Sequence, residues 1–443
     1  MADVSECGVV IVGCGTVGGA AAKALTGSAD HLAARAGVPL VLRSIVDVDF
    51  TRAREAGLSE ALFREDLDAE LARDDVQVVC ELIGGTTVAR DVTARALAAG
   101  KHVVTANKAL LAHHGGELFA AARAAGVCIA FEGSCGGAIP VVAALTGQLA
   151  VDRVEAIYGI VNGTCNHILT AMTTRDQTYA DALADAQRLG LAEADPALDV
   201  GGGDSAHKIA ILAALAFGVR VDVGRVHVEG IDRLDLRDVR YGAELGYCVK
   251  LLAIARRQAG ALSLRVHPAF ISTRHPLAWV TGAFNAVSIY ADRSGHTMYY
   301  GRGAGAMPTA AAVVGDIAAV ALGSAPRRFE SLGVWCDRAE PAEQLDIDAI
   351  ESRYYLRVQA ADRPGTLGTI ANVLGDRGIS IFSVLQHEAV GDVDTEGVPV
   401  VITTHLAKEG PLKAALAVIN NHPTVKSPCV CIRMVDEHPE RVE

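Results

Sequence analysis

The chain has 443 residues, of which 51% are hydrophobic and 5% aromatic, and its formal net charge is −12. This length predicts about two to four domains, and the acidic balance excludes broad nucleic-acid binding, which requires a basic surface. Because no run of about 18 uncharged apolar residues occurs, and acids stand near the start where a signal peptide would be basic, we predict a cytoplasmic protein without a membrane span.

The first predicted element is an apolar strand at 9–12, which leads directly into a glycine-rich turn and a helix of small residues. The turn reads Gly13-Cys14-Gly15-Thr16-Val17-Gly18. In this setting the pattern predicts a dinucleotide site. Gly13 permits the tight turn, Gly15 lets a pyrophosphate approach the backbone, and Gly18 lets helix and strand pack closely. The phosphates would lie at the helix N-terminus, beside Thr16 and Val17; an ordinary glycine turn is the alternative.

Four further strands are predicted at 41–46, 76–82, 102–105 and 127–131, with helical segments between them. This alternation is typical of a doubly wound parallel sheet of the Rossmann type, so the predicted fold class is α/β. Ligands bind at the carboxyl ends of such strands. The candidate cofactor residues at these ends are Asp47, Gly84, Thr105 and Lys108. For the lysine, an ordinary surface position is the alternative.

The acidic end of the second strand bears on the identity of the cofactor. Either Asp47 or Asp49 is placed to bind a ribose diol, which favours NAD. Arg52 and Arg54 follow closely and could instead hold the 2′-phosphate of NADP. The sequence leaves both cofactors open.

A glycine-rich loop follows the fifth strand, between Glu132 and Pro140. Such a loop exposes carbonyl oxygens, which together with one carboxylate could hold a hard cation. From residue types alone, a structural turn is the favoured interpretation. Because the pattern changes after this loop, we predict a dinucleotide-binding domain at 1–140 and a substrate-binding and catalytic domain of α+β type at 141–300.

The most informative stretch, residues 193–208, combines four carboxylates, three glycines and a lysine. It follows a predicted helix that is closed by Gly190, and it leads into a buried helix predicted at 207–217. We call the segment between these two helices, residues 190–206, the acidic loop. Asp204 and Lys208 stand at i and i+4, so both can lie on one face of the first helical turns. A lysine at the start of a buried helix suits proton transfer. An ordinary salt bridge between the two residues is the alternative.

The C-terminal part predicts a separate module. Residues 323–350 contain a proline, arginines and an acid-rich segment, and they are predicted to form a linker. Residues 351–443 then follow the order βαββαβ, with the second strand at 379–388, which predicts a ferredoxin-like unit. The sequence Asp362-Arg363-Pro364-Gly365-Thr366-Leu367, followed by Gly378-Ile379-Ser380-Ile381, resembles the ACT domain, an amino-acid-sensing module. A domain that serves only oligomerisation is the alternative.

Over most of its length the chain resembles homoserine dehydrogenase. The matching segments, in family order, are 13–18, 81–85, 105–108, 159–164, 193–212, 246–252 and 301–305, followed by Pro308-Thr309. The resemblance implies interconversion of L-homoserine and L-aspartate 4-semialdehyde with NAD or NADP. It also implies that the chain returns to the nucleotide domain at about 300–322, where Gly303 and Gly305 contact the cofactor.

The same resemblance assigns roles to individual residues. Lys208 is implied to donate and accept the proton at the reacting oxygen, with Asp204 as its carboxylate partner, and Lys108 to lie where nicotinamide meets substrate. The implied substrate residues are Glu193, Asp199, Gly163, Thr164 and Gly190, of which the two acids hold the amino end. The family's sodium site matches Glu132 with the carbonyls of Cys135, Gly137 and Ile139, and we expect that ion to be structural.

The resemblance also implies regulation and assembly. L-threonine is the usual effector of family members that carry an ACT domain, so we expect feedback inhibition, with Asp362, Gly365 and Leu367 on the ligand-binding turn. ACT domains commonly pair, which implies a homodimer or homotetramer. In the middle of the chain, a helix at 243–255 and strands at 262–268 and 286–290 are expected.

Three segments differ from the usual family pattern: Cys165-Asn166-His167 after Asn-Gly-Thr, Gly201-Gly202-Gly203 in the acidic loop, and Cys135 where valine is frequent. They leave the implied reaction unchanged. Two other functions compete with it: a different amino-acid-linked NAD(P) oxidoreductase, and a non-catalytic sensor of nucleotides and amino acids. The combination of Lys208, Asp204 and Glu193 speaks against the sensor.

Overall fold

A computed structural model describes residues 6–258, 260–387 and 397–439. Residue 388, the predicted end of the second strand in the C-terminal module, lies outside these described residues. The outermost residues of the predicted ranges 1–140 and 351–443 lie outside them as well.

The first part of the chain forms a parallel sheet covered by helices. Its strands are β1 (Cys7–Val12), β2 (Leu40–Val46), β3 (Phe63–Arg64), β4 (Val78–Glu81), β5 (His102–Thr105) and β6 (Ile129–Ala130). Its helices are α1 (Thr16–Gly27), α2 (Ala29–Ala36), α3 (Thr51–Glu55), α4 (Leu67–Leu71), α5 (Val88–Ala98) and α6 (Lys108–Ala124). The strand order is β3-β2-β1-β4-β5-β6, with parallel pairing throughout, which confirms the predicted Rossmann-type sheet.

The sequence of the central strands explains this arrangement. Strands β1 and β4 are buried throughout and carry one charged residue, Glu81, and both valines of β5 are buried, as parallel strands between two helical layers require. The strand order reverses between β1 and β4, which is where a ligand crevice opens at the carboxyl ends of a doubly wound sheet. Asp47, Gly84, Thr105 and Lys108, the cofactor candidates predicted at the strand ends, therefore lie at or just after the carboxyl ends of β2, β4 and β5, at the edge where such a crevice opens.

The middle part forms a second, mainly antiparallel sheet. Its strands are β7 (Val154–Ile160), β8 (His227–Val228), β9 (Tyr247–Gln258), β10 (Ala261–Ser272), β11 (Phe284–Ala291) and β12 (Gly295–Arg302). Its helices are α7 (Val141–Thr146), α8 (Gly163–Arg175), α9 (Tyr179–Arg188), α10 (Ala197–Val200), α11 (Gly203–Phe217) and α12 (Leu236–Glu244). The strands follow the order β12-β11-β7-β9-β10, and α8 and α11 pack against β9.

The predicted helix at 243–255 is wrong. Helix α12 ends at Glu244, Gly246 adopts a φ of 83°, and strand β9 begins at Tyr247. This strand pairs with β10 along its whole length and with β7 on its other side. Its apolar residues are therefore buried because the strand is central, and an apolar run of this kind does not reveal by itself whether it is helical or extended.

After β12 the chain returns to the helices that cover the first sheet, and it then leads into the C-terminal part of the protein. Helix α13 (Ala306–Ala321) packs against α1 and is followed by α14 (Ser324–Ser331). In the segment predicted as a linker, Phe329 and Trp335 are buried, and Nε of Arg123 lies 2.8 Å from Oδ2 of Asp337. The connection is thus packed against the nucleotide domain. In the described part of the chain no single helix meets the criterion for a membrane span; α13 and α14 meet it only as a pair, bent by 80°.

The last part has the predicted ferredoxin-like arrangement. It contains the strands β13 (Glu351–Ala360), β14 (Ile381–Gln386), β15 (Val398–Thr404), the short β16 (Ala407–Lys408) and β17 (Val430–Val435), with helices α15 (Thr366–Gly375) and α16 (Glu409–Asn420). Its strands follow the order β17-β13-β15-β14. Strand β17 also pairs in parallel with β10 of the middle part, so that both parts share one 11-stranded sheet.

Candidate active site

The glycine turn between β1 and α1 has the shape that a dinucleotide-binding loop requires. Gly13 has a φ of 93°, which favours glycine, and a Cβ on Gly18 would lie 1.9 Å from the carbonyl oxygen of Gly13. At Gly15 the nearest atom to an added Cβ is 3.8 Å away, which leaves room for a ligand. Thr16 and Val17 begin α1 without a side-chain cap, as suits a helix end that receives phosphate oxygens.

Asp47 lies just beyond the carboxyl end of β2, next to this turn. Its Oδ2 accepts the N–H of Cys14 at 2.6 Å, and its Oδ1 accepts the N–H of Val48 at 2.7 Å. The carboxylate therefore supports the glycine turn. The guanidinium of Arg52 lies at the start of α1, where Nη1 is 3.4 Å from Oγ1 of Thr16.

A buried carboxylate that sequence reasoning did not single out shapes the neighbouring strand ends. Glu81 at the end of β4 accepts the hydroxyl of Thr105 at 2.7 Å, and its other oxygen accepts the N–H groups of Ile83 and Gly84 at 3.0 and 3.2 Å. The Thr105 hydroxyl thus points to Glu81 and stabilises the crevice wall. The signal for this role was a carboxylate at the end of an otherwise apolar strand.

Asn107 fixes the position of Lys108, the first residue of α6. The Oδ1 of Asn107 accepts the N–H of Leu110 at 3.0 Å, and its Nδ2 donates to the carbonyl oxygen of Gly85 at 2.7 Å. Asparagine is a favoured residue at a helix N-terminus for this reason. An asparagine directly before an apolar helix was a signal that could have predicted this cap.

The two candidate lysines meet at one carboxylate. The Nζ of Lys208 lies 2.8 Å from Oδ2 of Asp204, and the Nζ of Lys108 lies 3.0 Å from Oδ1 of the same residue. Asp204 and Lys208 are one turn apart on α11, as their spacing predicted, and both are buried. Because α6 packs against α11, this cluster joins the nucleotide domain to the substrate domain.

The charges of the cluster stabilise one another. Burial by itself would raise the pKa of the Asp204 carboxyl group, but the ammonium groups of Lys208 and Lys108 outweigh it and hold this pKa well below its ordinary range. Burial would likewise lower the pKa of Lys108, yet the charge and hydrogen bond of Asp204 raise it above the ordinary value. At neutral pH Asp204 is therefore ionised and Lys108 is protonated.

Asp199 joins the cluster through Asn162, a residue that the sequence did not single out. The Nδ2 of Asn162 donates to Oδ1 of Asp199 at 2.8 Å and to Oδ2 of Asp204 at 2.9 Å. Burial raises the pKa of Asp199; the hydrogen bond from Asn162 opposes this effect, and the charge of Asp204 adds to it. The structure thus brings Asp199, Asp204, Lys208 and Lys108 into one connected group.

The other substrate candidates surround this group at different depths. Gly163 and Thr164 begin α8, and the hydroxyl of Thr164 donates to the carbonyl oxygen of Leu191 at 2.6 Å, which ties α8 to the acidic loop. Gly190, at a φ of 70°, lies in the turn after α9. Glu193 is exposed on the same loop, and its carboxylate is not among the hydrogen-bonded groups of the lysine cluster.

The glycine-rich loop after β6 begins with a helix-capping carboxylate. Both oxygens of Glu132 accept backbone N–H groups at the start of α7, from Val142 at 2.9 Å and from Ala143 at 2.7 Å. The other predicted ligand positions, Cys135, Gly137 and Ile139, are buried. Among the residues that the structure describes, no three His, Cys, Asp or Glu side chains are grouped to hold a metal ion, so a cation here would depend on backbone carbonyls.

The returning segment packs directly on this loop. A Cβ on Gly137 would lie 2.7 Å from the carbonyl carbon of Gly303, and the N–H of Ala138 donates to the carbonyl oxygen of Arg302 at 3.2 Å. Gly305, at a φ of 121°, precedes the first residue of α13. Gly303, one of the two glycines assigned to the cofactor, is therefore next to the loop assigned to the cation.

The three effector candidates lie on one turn of the C-terminal part, between β13 and α15. Gly365 has a φ of 90° and precedes α15, while Asp362 and Leu367 are exposed on either side of it. An exposed carboxylate beside a helix start is accessible to a small polar ligand.

A Rossmann-type sheet, a lysine–carboxylate cluster beside it and a ferredoxin-like C-terminal unit define an NAD(P)-dependent oxidoreductase with a ligand-sensing domain. Family models identify it more closely. The model described as homoserine dehydrogenase matches residues 140–318, its NAD-binding domain matches 13–132, and the ACT domain matches 354–423. The chain belongs to the homoserine dehydrogenase family.

Curated relatives agree with this assignment. Homoserine dehydrogenases from Neisseria gonorrhoeae and Mycobacterium tuberculosis are each 42% identical to the chain, over 431 and 441 residues. The first alignment covers 97% of this chain and 98% of the relative, and the second covers 98% of each.

Solved structures agree as well. A homoserine dehydrogenase from Thiobacillus denitrificans has a TM-score of 0.91 at 39% identity, covering 97% of this chain and 98% of that one. The Staphylococcus aureus enzyme at pH 7.5 has a TM-score of 0.75 at 29% identity, with coverage of 97% and 99%. A hyperthermophilic archaeal mutant enzyme in complex with NADPH has a TM-score of 0.61 at 25% identity, covering 72% of this chain and 98% of that one.

The lowered pKa of Asp204 predicts a pH-dependent effect of Asp204→Asn on stability. The ionised carboxylate stabilises the folded state above the pKa of the unfolded residue, about 3.9, and this contribution declines as pH falls further toward the folded pKa. The variant should therefore be less stable than the wild type at pH 7, and the difference in unfolding free energy should narrow by roughly 1 kcal/mol at pH 3. Urea denaturation at both pH values measures it.

The exposed Asp30 supplies the control, because Asp30→Asn removes a carboxylate without removing a partner of the lysines. Its stability difference from the wild type should stay small at both pH values. A difference for Asp204→Asn that is the same at pH 7 and pH 3 would contradict the role given to the carboxylate.

Proposed function

We propose that the cluster of Lys208, Asp204 and Lys108 carries the chemistry that interconverts L-homoserine and L-aspartate 4-semialdehyde. The observation that carries this proposal is the position of two lysine amines on one buried carboxylate, at the contact between the nucleotide and substrate domains. A dehydrogenase of this kind needs a group that takes the hydroxyl proton in one direction and returns it in the other. A positioned lysine meets that need.

The hydrogen bonds of Lys208 support its role as the proton carrier. An ammonium group has three N–H donors. Two of them are engaged, with the carbonyl oxygen of Val161 at 2.6 Å and with Asp204 at 2.8 Å. The third can donate to the oxygen of the substrate. A fixed cation at that oxygen also stabilises the negative charge that develops there when the carbonyl group is reduced.

The remaining residues would bind the ends of the substrate. Asp199 offers a carboxylate to the substrate ammonium group, and Glu193 on the exposed acidic loop offers a second one. Gly163, Thr164 and Gly190 shape the pocket: the hydroxyl of Thr164 fixes the loop that carries Glu193 through its bond to Leu191. Binding at the amino end orients the reacting carbon, which is the main contribution of such contacts to the rate.

The family assignment and the NAD-binding domain imply a nicotinamide cofactor. When bound, that group supplies hydride transfer to and from the substrate carbon. We propose that Gly13, Gly15, Thr16, Val17 and Gly18 hold its pyrophosphate, and that Gly84, Thr105, Lys108, Gly303 and Gly305 line the crevice around it. The positive φ of Gly13 and the open space at Gly15 fit this role.

For the adenosine ribose we propose that the site takes both NAD and NADP. Asp47 is beside the glycine turn and can bind a ribose diol, while Arg52 at the start of α1 can pair with a 2′-phosphate. Arg54 is less suited, because its Nε is paired with Oε1 of Glu60 at 2.8 Å. The structure of the archaeal relative with NADPH supports the phosphate-bearing form.

We also propose a structural sodium ion at the loop of Glu132, held by the carbonyl oxygens of Cys135, Gly137 and Ile139. The electrostatics of the loop support it: burial and the charge of Glu132 raise the pKa of the nearby Asp316 to about 8, and a cation here would relieve this unfavourable burial of carboxylate charge. The oxygens of Glu132 already accept backbone N–H groups, and each keeps a further lone pair that can face a cation.

Regulation by L-threonine at the ACT domain is a further part of the proposal. The turn with Asp362, Gly365 and Leu367 would bind the amino acid, with the exposed carboxylate opposite its ammonium group. The shared sheet supports communication with the active site, because β17 of the ACT domain is hydrogen-bonded to β10 of the substrate domain.

A chain of contacts from the ACT domain leads toward the acidic loop. Arg433 in β17 donates from Nη1 and Nη2 to the two oxygens of Glu229, at 2.8 and 2.9 Å. Two residues further on, the N–H of Ile231 donates to the carbonyl oxygen of Val200 at 2.8 Å. Val200 directly follows Asp199, so a shift of β17 can reach the substrate carboxylate.

We propose that the chain forms a homodimer or homotetramer in the cytoplasm. The two end strands of the 11-stranded sheet, β12 and β14, expose large apolar side chains, namely Met298, Tyr300, Phe382 and Val384. Exposed apolar edge strands are typical of surfaces that pair. All ten cysteines are free thiols, which fits a reducing compartment.

The central prediction concerns Lys208→Ala. In initial-rate assays with L-homoserine and either NAD or NADP, the wild type should turn over the substrate. The kcat of the variant should be lower by about 100-fold or more, because the proton carrier is absent. Cofactor affinity, measured by fluorescence titration, should be unchanged. Lys413→Ala is the control, since that lysine is paired with Asp348 on the surface.

Two results would contradict the central proposal. If the wild type shows no turnover of L-homoserine with either cofactor, the proposed reaction is wrong. Full activity of Lys208→Ala would show that Lys208 is not the proton carrier.

A second prediction separates the two cofactors. Arg52→Ala should raise the KM for NADP about tenfold, because one charged contact to the 2′-phosphate is lost, and should leave the KM for NAD within about twofold. Arg54→Ala is the matched control, because that guanidinium is already paired with Glu60. Equal changes in both KM values for Arg52→Ala would show that this residue does not recognise the phosphate.

A third prediction tests the effector site. L-Threonine should inhibit the wild type, and Asp362→Ala should raise the half-inhibitory concentration about tenfold, since a charge-assisted hydrogen bond to the ammonium group is lost. Asp376→Ala, at the other end of α15, should behave like the wild type. Inhibition that is the same in both variants would place the effector elsewhere.

A further inference from the structure

Asn162 occupies the junction of the second sheet and the active site. It follows strand β7 and precedes α8, where its Oδ1 accepts the N–H of Cys165 at 2.8 Å. This is the usual role of an asparagine at a helix N-terminus. Its side chain is buried, with 5% of the residue exposed. Capping uses only the oxygen, so the presence of the amide nitrogen needs a separate explanation.

The amide nitrogen of Asn162 is shared between two carboxylates. Its two N–H donors reach Oδ1 of Asp199 at 2.8 Å and Oδ2 of Asp204 at 2.9 Å. These acids come from different helices, α10 and α11, and two carboxylates at this spacing repel each other. A neutral group that donates to both reduces this cost without adding a charge.

The residue before Asn162 takes part in the same arrangement. The carbonyl oxygen of Val161 accepts a hydrogen bond from Nζ of Lys208 at 2.6 Å, and this Nζ is also 2.8 Å from Asp204. One dipeptide at the end of β7 therefore contacts the proposed proton carrier, its carboxylate partner and the proposed substrate carboxylate. All three are held relative to a rigid strand rather than to the acidic loop.

We propose that Asn162 is a positioning residue that keeps Asp199 and Asp204 ionised at a fixed separation, so that each serves a different partner. Asp204 then serves the two lysines, and Asp199 serves the ammonium group of the substrate. Asn162 itself acts through these carboxylates, and the proposal rests on the roles given to them under the proposed function. The titratable and charged groups that face the pair are Lys208, Lys108, Cys165 and His207.

The purely structural explanation is that Asn162 only caps α8. Serine separates the two explanations, because its hydroxyl oxygen caps a helix about as well as asparagine but it lacks the two N–H donors. Asn162→Ser should therefore retain the cap of α8 while it loses the hydrogen bonds to both carboxylates. Aspartate also retains the capping oxygen, but it replaces the donors with a third negative charge.

The experiment is a pH profile of kcat/KM for L-homoserine with the wild type, Asn162→Ser and Asn162→Asp. Loss of the donors disfavours the ionised form of Asp199, so the acidic limb of the profile should move to higher pH in Asn162→Ser, and further in Asn162→Asp. At neutral pH, kcat/KM should fall at least tenfold in Asn162→Ser. Most of this loss should appear in KM, because Asp199 binds the substrate.

Thr178→Ala is the matched control, since Thr178 caps α9 through its hydroxyl. This variant should lower the thermal midpoint without moving the acidic limb. Asn162→Ser with a wild-type profile would overturn the proposal and leave Asn162 as a cap alone. So would an unmoved limb in Asn162→Ser together with a lowered thermal midpoint.

The variant Asp199→Asn distinguishes this failure from a failure of the proposed function. If Asn162 acts through Asp199, adding Asn162→Ser to Asp199→Asn should not move the acidic limb further. If Asp199→Asn has wild-type KM and profile, the role of Asp199 in the proposed function fails. If Asp199→Asn loses substrate affinity while Asn162→Ser does not, only the role of Asn162 fails.

Discussion

A single buried carboxylate, that of Asp204, holds together the lysine cluster between the nucleotide and substrate domains. Burying a charge is stable only when charged partners and hydrogen bonds compensate it, and Asp204 has both: two lysine amines and an amide. Lys108 belongs to α6 of the nucleotide domain, whereas Lys208 and Asp204 belong to α11. The ion pair between Lys108 and Asp204 therefore links the nucleotide domain to α11 of the substrate domain.

Around this cluster the fold supplies rigid supports of different kinds. The buried side chains of Glu81 and Asn107 organise the strand ends and the start of α6 on the nucleotide side. On the substrate side, the end of β7 holds the lysine and the acids through a backbone carbonyl and an asparagine amide. Groups on strands and helix starts are held more precisely than groups on loops, and the acidic loop is tied to this frame by Thr164.

The C-terminal domain is joined to the enzyme more closely than a linker would imply. Backbone hydrogen bonds between β10 and β17 make one continuous sheet of the substrate and ACT domains. Buried charge reinforces the contact: Asp238 of α12 accepts Nη2 of Arg357 at 2.9 Å and the hydroxyl of Tyr355 at 2.8 Å. A ligand that moves the ACT strands must therefore also strain the substrate sheet, which is the physical condition for regulation through the fold.

The sequence by itself determined the elements whose signals are local. The glycine turn at 13–18, the i and i+4 spacing of Asp204 and Lys208 and the βαββαβ order of the ACT part all depend on short-range geometry, and the fold and the family agree with them. The helix expected at 243–255 failed because an apolar run looks alike in a buried helix and in a central strand, and only its pairing with β7 and β10 decides. Tertiary structure alone brought Lys108 to Asp204, Asn162 to two carboxylates and β17 to β10, because these contacts join residues far apart in the chain, and no local pattern encodes which charges will share a buried site.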